Sequence, residues 1–300
     1  MGLLATKSSC SYAAARVLVT GGCSGLGQAL VKLLVADAAR VLVGDVHAAA
    51  PEGSLPPGVD YLRLDVSKDE DWDAARNWVE STYGGLDVLI NNAGIAAGGR
   101  IDVADMDEWR RIVDINLLGV ARGCHTFVPM MKQQGSGQIV NTASLAGLVH
   151  APAMASYNAV KAGVVAISET LRSELAPSGI TVSVICPSFF RTNLAESFGG
   201  KDVDMEASGT EMITKAPRSA DQVAAVAFAG MKAGKFIILT DRDGHIAYAA
   251  KRFARPVYDR AMLTAGKRVG KGTTPVPPAL DKLRARFAKP GPRGDGEARS

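Results

Sequence analysis

From residue 16 onward, short apolar runs alternate with longer stretches of helical periodicity. The runs are Arg16-Val-Leu-Val-Thr20, Arg40-Val-Leu-Val-Gly-Asp45, Tyr61-Leu-Arg-Leu64, Leu86-Asp-Val-Leu-Ile-Asn91, Gln138-Ile-Val-Asn-Thr142, Thr181-Val-Ser-Val-Ile-Cys186 and Phe236-Ile-Ile-Leu-Thr240. Short runs rich in Val, Ile and Leu, with little polar alternation, suit strands covered on both faces, as in a parallel sheet. Between them, apolar residues recur at spacings of three and four. Leu26, Ala29, Leu30, Leu33 and Leu34 follow the first run, and further helices are predicted from Asp69 to Tyr83, Asp107 to Lys132, Ser156 to Ala176 and Ser219 to Lys232. The last opens with Ser219 and Gln222 in the spacing of a capping box. Strand and helix in alternation predict an α/β fold, one doubly wound sheet of seven mostly parallel strands with helices on both faces.

The remaining segments set the domain boundaries. Residues 1–15 carry no pattern and are expected to form a flexible lead-in to a single domain over 16–245. Residues 193–217, with Gly199-Gly200 inside them, show little periodicity and are expected to form a loop able to act as a lid. Beyond the seventh run a helical extension is expected over 246–271, its pattern strongest from Ile246 to Leu263. The tail at 272–300, rich in Pro, Gly and charge, is expected to be disordered because it can bury too little apolar surface to offset chain entropy.

Composition narrows the function classes. The chain has 300 residues, 47% of them hydrophobic, enough for one full core. Its net charge of +4 hides an asymmetry, +9 over residues 242–300 against −5 over the rest. The basic end lacks interleaved aromatics and any nucleic-acid-binding motif, so no nucleic-acid partner is expected. No apolar run approaches the roughly 18 residues of a spanning helix, and no membrane insertion is expected. Cys10, Cys23, Cys124 and Cys186 are scattered without C-x-x-C spacing, and His47, His125, His150 and His245 have no ligand spacing. Neither a disulfide framework nor a metal site is expected, and a reducing cytoplasm suits the cysteines.

Two stretches carry chemistry. The first run leads directly into Thr20-Gly-Gly-Cys-Ser-Gly-Leu-Gly27 and a helix. Gly21, Gly25 and Gly27 let the backbone turn tightly and approach a pyrophosphate, held by amides at the helix N-terminus as in Rossmann-type nucleotide sites. Asp45 ends the second strand eighteen residues after Gly27, where a carboxylate accepts from ribose hydroxyls and repels a 2′-phosphate. With no Lys or Arg in the turn, NAD is favoured over NADP. The second stretch is Ser144 followed by Tyr157-Asn-Ala-Val-Lys161. Tyr157 and Lys161 share one helical face, where an ammonium is expected to lower the pKa of a phenol.

With Asn91-Asn-Ala-Gly94 after the fourth run, these motifs stand in the order and spacing of the short-chain dehydrogenase/reductase family, which the chain resembles from about Arg16 to Thr240. The resemblance implies the strand order 3-2-1-4-5-6-7 and a catalytic set of Asn116, Ser144, Tyr157 and Lys161. It implies cofactor contacts from Gly21, Ser24, Gly25, Leu26, Gly27, Asp45, Asp65, Val66, Asn92, Ala93, Gly94, Tyr157, Lys161, Pro187, Phe190 and Thr192. It implies reversible hydride transfer between a secondary alcohol or carbonyl and nicotinamide, Tyr157 moving the proton, Lys161 tuning it, Ser144 holding the substrate oxygen and Asn116 holding a water on the path to solvent. It implies a homodimer or homotetramer built through the two long helices. Where the family usually has Pro-Gly-x-x-x-Thr, this chain has Pro187-Ser188-Phe189-Phe190-Arg191-Thr192, so Ser188 departs from the pattern. Met154, Leu148, Phe189 and Phe190, if they line the pocket, point to an apolar alcohol or ketone. The competing class is a catalytically inactive nucleotide-sensing or interaction protein on the same fold.

Overall fold

The structure is a computed structural model that describes residues 11–269. Seven strands form one sheet: β1 (Arg16–Thr20), β2 (Arg40–Asp45), β3 (Asp60–Arg63), β4 (Val88–Asn91), β5 (Gly137–Thr142), β6 (Ile180–Cys186) and β7 (Ile237–Leu239). Their order is β3-β2-β1-β4-β5-β6-β7, and every neighbouring pair is parallel. The all-apolar character of the strands has a direct cause, since successive side chains enter two separate cores. Leu18, Leu42, Leu89 and Ile139 pack with Trp72, Phe127 and Val164 on one face. Val17, Val19, Val43 and Ile90 pack with Leu30, Leu34, Val223 and Ala227 on the other. The first face is covered by α2 (Asp69–Tyr83), α4 (Gly119–Gln134) and α5 (Ala155–Leu175), the second by α1 (Gly25–Ala36) and α7 (Ala220–Lys232). The α7 capping box forms, with Gln222 N donating to Ser219 Oγ and Ser219 N donating to Gln222 Oε1 at 3.0 Å.

Four expectations need revision. Residues 11–15 are packed: the Tyr12 hydroxyl donates to Gln138 Oε1 at 2.7 Å, its amide donates to Asp37 at 2.8 Å, and its ring lies 5.5 Å from that of Phe228. One aromatic side chain suffices to pin a segment whose sequence shows no period. Residues 1–10 lie outside the described residues.

The expected long helix over 107–132 is α3 (Met106–Val113), a π-helical turn at Asp114–Leu118 and then α4. Gly119 and Gly123 mark close approaches: a Cβ at Gly119 would lie 3.0 Å from Val66 Cγ2, and one at Gly123 would lie 2.3 Å from Asn91 Oδ1.

Residues 193–217 are not an aperiodic loop. They form a 3-10 turn at Asn193–Ser197 and α6 (Val203–Thr214), fastened to the domain by Arg100, which donates from Nε and Nη2 to the two oxygens of Asp202 at 2.8 and 2.7 Å. The helical extension begins earlier than expected and breaks once, giving α8 (Arg242–Phe253) and α9 (Arg255–Val269) around Ala254. Pro256 lies in the first turn of α9, where its missing N–H removes no helical bond. The expected disordered tail at 272–300 lies outside the described residues. Among the described residues, no helix is long and apolar enough to cross a membrane.

Candidate active site

The glycine turn follows β1 with its conformations dictated by contact. Gly21 has φ +64°, and a Cβ there would sit 2.8 Å from Ala93 Cα. At Gly27 a Cβ would lie 2.1 Å from the Gly21 carbonyl oxygen, so the turn closes on itself only with glycine at this position. Asn92 holds the turn from the next strand end. Its Nδ2 donates to the carbonyls of Thr20 and Gly21 at 3.1 and 3.2 Å, while Thr142 donates to its Oδ1 at 3.3 Å. Thr20 Oγ1 accepts from the amides of Asn92 and Ala93, both at 3.0 Å. Asn92 and Ala93, expected as cofactor contacts, therefore also hold the turn in place.

No side chain caps the start of α1: Ser24 is its N-cap residue and makes no capping hydrogen bond. The first-turn amides at Gly25, Leu26 and Gly27 thus carry no side-chain cap, which leaves the helix start able to take an anion. Asp45, 8% exposed, accepts from Cys23 N at 3.1 Å, from Val46 N at 2.8 Å and from His47 Nδ1 at 2.8 Å. These bonds aim its carboxylate at the turn. Asp65 accepts from the hydroxyl and amide of Ser67 at 2.7 and 3.0 Å, and Val66 lies buried beside it with its carbonyl taken by Trp72 Nε1. This glycine cradle, bare helix start and oriented acid fit a dinucleotide.

Gly94 stands between the two halves of the site. A Cβ there would lie 3.1 Å from Asn116 Oδ1 and 3.6 Å from Lys161 Nζ, so both catalytic candidates converge on it. Asn116, in the π-helical turn, is buried and its side chain is fully engaged: Ile95 N donates to Oδ1 at 2.8 Å, and Nδ2 donates to Ile95 O at 2.9 Å. Lys161 Nζ donates to Thr142 O at 3.0 Å and lies 5.7 Å from the Tyr157 ring centroid. Ser144 Oγ accepts from Ala146 N at 3.1 Å, donates to Pro187 O at 3.4 Å, and acts on Tyr157 in the sense that favours the ionised phenol. All four expected catalytic residues therefore surround one region at the carboxyl ends of β4, β5 and β6.

The electrostatics differ from the expectation. Burial pushes the Tyr157 phenol up to about 12, only partly offset by the Ser144 hydrogen bond. Burial also pushes the Lys161 ammonium down to about 8, against the partial opposing effect of Cys186. Lys161 is not among the groups that shift the phenol: its ammonium sits towards the ring and bonds Thr142 O.

The loop after β6 closes the site. Pro187 is buried, Thr192 Oγ1 would lie 2.5 Å from a Cβ at Gly25, and Phe190 packs against the core on the α1 and α7 face. Ser188, at the departure from the family pattern, donates to Asp241 Oδ2 at 2.5 Å. An apolar recess lies alongside, lined by Met154, Phe189, Phe198, Met205 and Met212. Two of the four expected lining residues are there, Met154 and Phe189, whereas Leu148 belongs to the core. Sequence reading missed Phe198, Met205 and Met212, whose segment gave no helical signal. The space between these side chains is about 30 Å³, room for a water or two.

Comparison with known proteins follows the same lines. The short chain dehydrogenase family model matches residues 15–202. A 3-alpha-(or 20-beta)-hydroxysteroid dehydrogenase of Mycobacterium tuberculosis is 38% identical over 182 residues, covering 60% of this chain and 70% of the relative. A trans-4-hydroxycyclohexanecarboxylate dehydrogenase of Sinomonas cyclohexanicum is 34% identical over 209 residues, covering 63% of this chain and 80% of the relative. Among solved structures, a short chain dehydrogenase/reductase from Burkholderia phymatum in complex with NAD superposes with a TM-score of 0.74 at 25% identity, covering 90% of this chain and 99% of that one.

Proposed function

Because the chain belongs to the short-chain dehydrogenase/reductase family, oxidoreductases that work with a nicotinamide cofactor, we propose that it is an NAD(H)-dependent enzyme interconverting a secondary alcohol and its ketone on an apolar, ring-containing small molecule. The observation that carries the reading is the convergence of Ser144, Tyr157, Lys161 and Asn116 beside the glycine turn. Gly21, Gly25, Gly27 and the first turn of α1 would hold the pyrophosphate, Asp45 the adenosine ribose, and Pro187 and Thr192 the nicotinamide side. Bound NAD would supply the hydride acceptor and, when oxidised, a positive charge to the site.

The chain's own residues handle the proton. With its phenol pushed up to about 12, Tyr157 is protonated at neutral pH, the form that gives a proton to a ketone oxygen during reduction. In oxidation it must accept a proton, so that direction gains from alkaline pH and from any added positive charge at the site. Ser144, beside Tyr157, steadies the substrate oxygen as charge develops on it. The Asn116 side chain exchanges two hydrogen bonds with Ile95, so a water on the proton path would be held chiefly by the residue's main chain in the π-helical turn.

NAD preference rests on Asp45, whose carboxylate repels a 2′-phosphate. The apolar substrate rests on the methionine and phenylalanine recess, and the named relatives acting on hydroxysteroid and hydroxycyclohexane substrates support it. That recess holds only a water or two, so a ring substrate would need α6 and Phe198 to give way. A homodimer or homotetramer would use the outer faces of α4 and α5.

The deciding experiment is a calorimetric titration with NADH and NADPH, followed by reduced-nicotinamide absorbance with hydroxysteroids, oxosteroids and substituted cyclohexanols. Tighter NADH binding and turnover of at least one ring alcohol or ketone are expected. Tighter NADPH binding would overturn the cofactor preference, and turnover confined to small acyclic polar alcohols the substrate class.

A further inference from the structure

The α8–α9 hairpin lies beyond the last strand, and its helical pattern gives it no obvious task. It stands apart from the two sheet cores: Tyr258, Ala265 and Val269 are buried outside them, Tyr248 reaches only the margin of one, and Phe253, Val257 and Leu263 are 81%, 62% and 70% exposed. Two of its polar side chains, by contrast, bond the loop between Ser144 and Tyr157.

Lys251 Nζ, on α8, donates to Leu148 O at 2.7 Å and lies 3.1 Å from His150 Nδ1. The Tyr258 hydroxyl, on α9, accepts from His150 N at 3.0 Å, and Tyr258 is buried. Both bonds grip the main chain between Ser144 and Tyr157. A third bond reaches the other side of the site. Asp241 caps α8 by accepting from Gly244 N at 2.7 Å, and the same carboxylate accepts from Ser188 Oγ at 2.5 Å. Ser188 follows Pro187, whose carbonyl accepts from Ser144. The hairpin thus holds both loops that frame the reacting carbon, and Ser188 supplies a donor that glycine lacks.

We propose that Lys251, Tyr258 and Asp241 are positioning residues, and that the α8–α9 hairpin is a clamp setting the distance of Ser144 from Tyr157 and of both from the Pro187–Thr192 loop. The proposal rests on the assignment of Ser144 and Tyr157 to the chemistry. Acid–base and oxyanion groups tolerate little displacement, so loosening this support costs turnover while the glycine turn, on the opposite side of the sheet's carboxyl edge, still binds dinucleotide. His150 stays neutral in this arrangement, because burial and the neighbouring Lys251 and Arg255 charges push its pKa down. It can therefore accept from Lys251.

The test uses the full chain and the variants Tyr258→Phe, Lys251→Met and Lys251→Arg. Hydrogen exchange of residues 145–152, measured without substrate, is expected to speed up about tenfold or more in Tyr258→Phe and Lys251→Met. With the ring substrate that wild type turns over, kcat is expected to fall about 5- to 20-fold while NADH affinity stays within about twofold, and Lys251→Arg restores most of it. Unchanged exchange at 145–152 overturns the clamp, as does kcat within about twofold of wild type in both variants. A parallel loss of NADH binding and kcat would mark a general folding role and also overturn it. If Tyr258→Phe does not fold, the Lys251 pair decides by rescue or its failure. Absence of wild-type turnover would count against the enzyme reading, whereas the exchange data would still decide the clamp.

Discussion

The cofactor side and the substrate side of this site are built by different means. Around the glycine turn, groups near one strand end satisfy one another: Thr20, Gly21, Asn92 and Ala93 exchange bonds across two adjacent strands, and Asp45 is aimed by the amides of Cys23 and Val46. On the substrate side, single side chains bridge long stretches of sequence: Arg100 to Asp202, Ser188 to Asp241, Lys251 to Leu148 and Tyr258 to His150. The cradle ties short side chains to neighbouring backbone and closes on glycines that tolerate no added atom. The longer Arg100 and Lys251 side chains have more rotatable bonds to hold, so their bonds are the easier ones to release.

The largest expected effect lies on the seam between the two regions. Tyr157→Phe is expected to lower turnover by about two to four orders of magnitude with NADH affinity nearly intact. Near wild-type turnover would sink the role. Next, Gly27→Ala forces a Cβ to within 2.1 Å of Gly21 O and is expected to abolish dinucleotide binding, or folding with it. Soluble Gly27→Ala protein with unchanged NADH affinity would break the comparison at its stiffer end.

Arg100→Met is expected to leave NADH affinity alone while raising substrate KM about tenfold, since the buried Asp202 carboxylate loses its partner and α6 loosens. The pH dependence has a fixed sign: Arg100 holds the Asp202 carboxyl below its usual range, so the latch persists above the ordinary carboxylate pKa and is lost only in acid. A change in NADH affinity equal to the change in KM would show that α6 is not separate from the cradle.

The smallest effect is on stability. Lys161 is buried with its pKa pushed from 10.5 down to about 8, so below that value the folded state carries a charge that burial disfavours. Between the two values the unfolded chain holds the extra proton, and the penalty fades as pH rises. Lys161→Met is therefore expected to raise Tm by about 2–4 °C at neutral pH while abolishing activity, with the gain shrinking towards about pH 10. A drop in Tm at neutral pH would mean that the bond to Thr142 O outweighs the buried charge.

The same contrast decided what the sequence made legible. Seven strands were readable from local pattern, whereas their order and the gathering of Asn116, Ser144, Tyr157 and Lys161 came only with the family resemblance that the motifs carry. The packed Tyr12 was not, since one side chain leaves no period. Neither was α6, whose Met205 and Met212 look like neither core nor surface until the recess they line is seen. The upward push on the Tyr157 phenol was missed because spacing reveals the neighbour and not the burial.

The π-helical turn at Asp114–Leu118 has a consequence for chain length. A π turn holds one residue more than the α turn it replaces, which rotates everything after it by roughly 100° about the axis. The segment from Met106 to Gln134 thus runs in two phases. One turns Ile112 into the core, and the other lays Gly119 under Val66 and Gly123 under Asn91 and Trp72. Removing a single residue between 114 and 118 would give a more regular helix and still ruin the site, because either Asn116 would leave Ile95 or Gly123 would leave Asn91. Here the count of residues, as much as their identity, is under constraint.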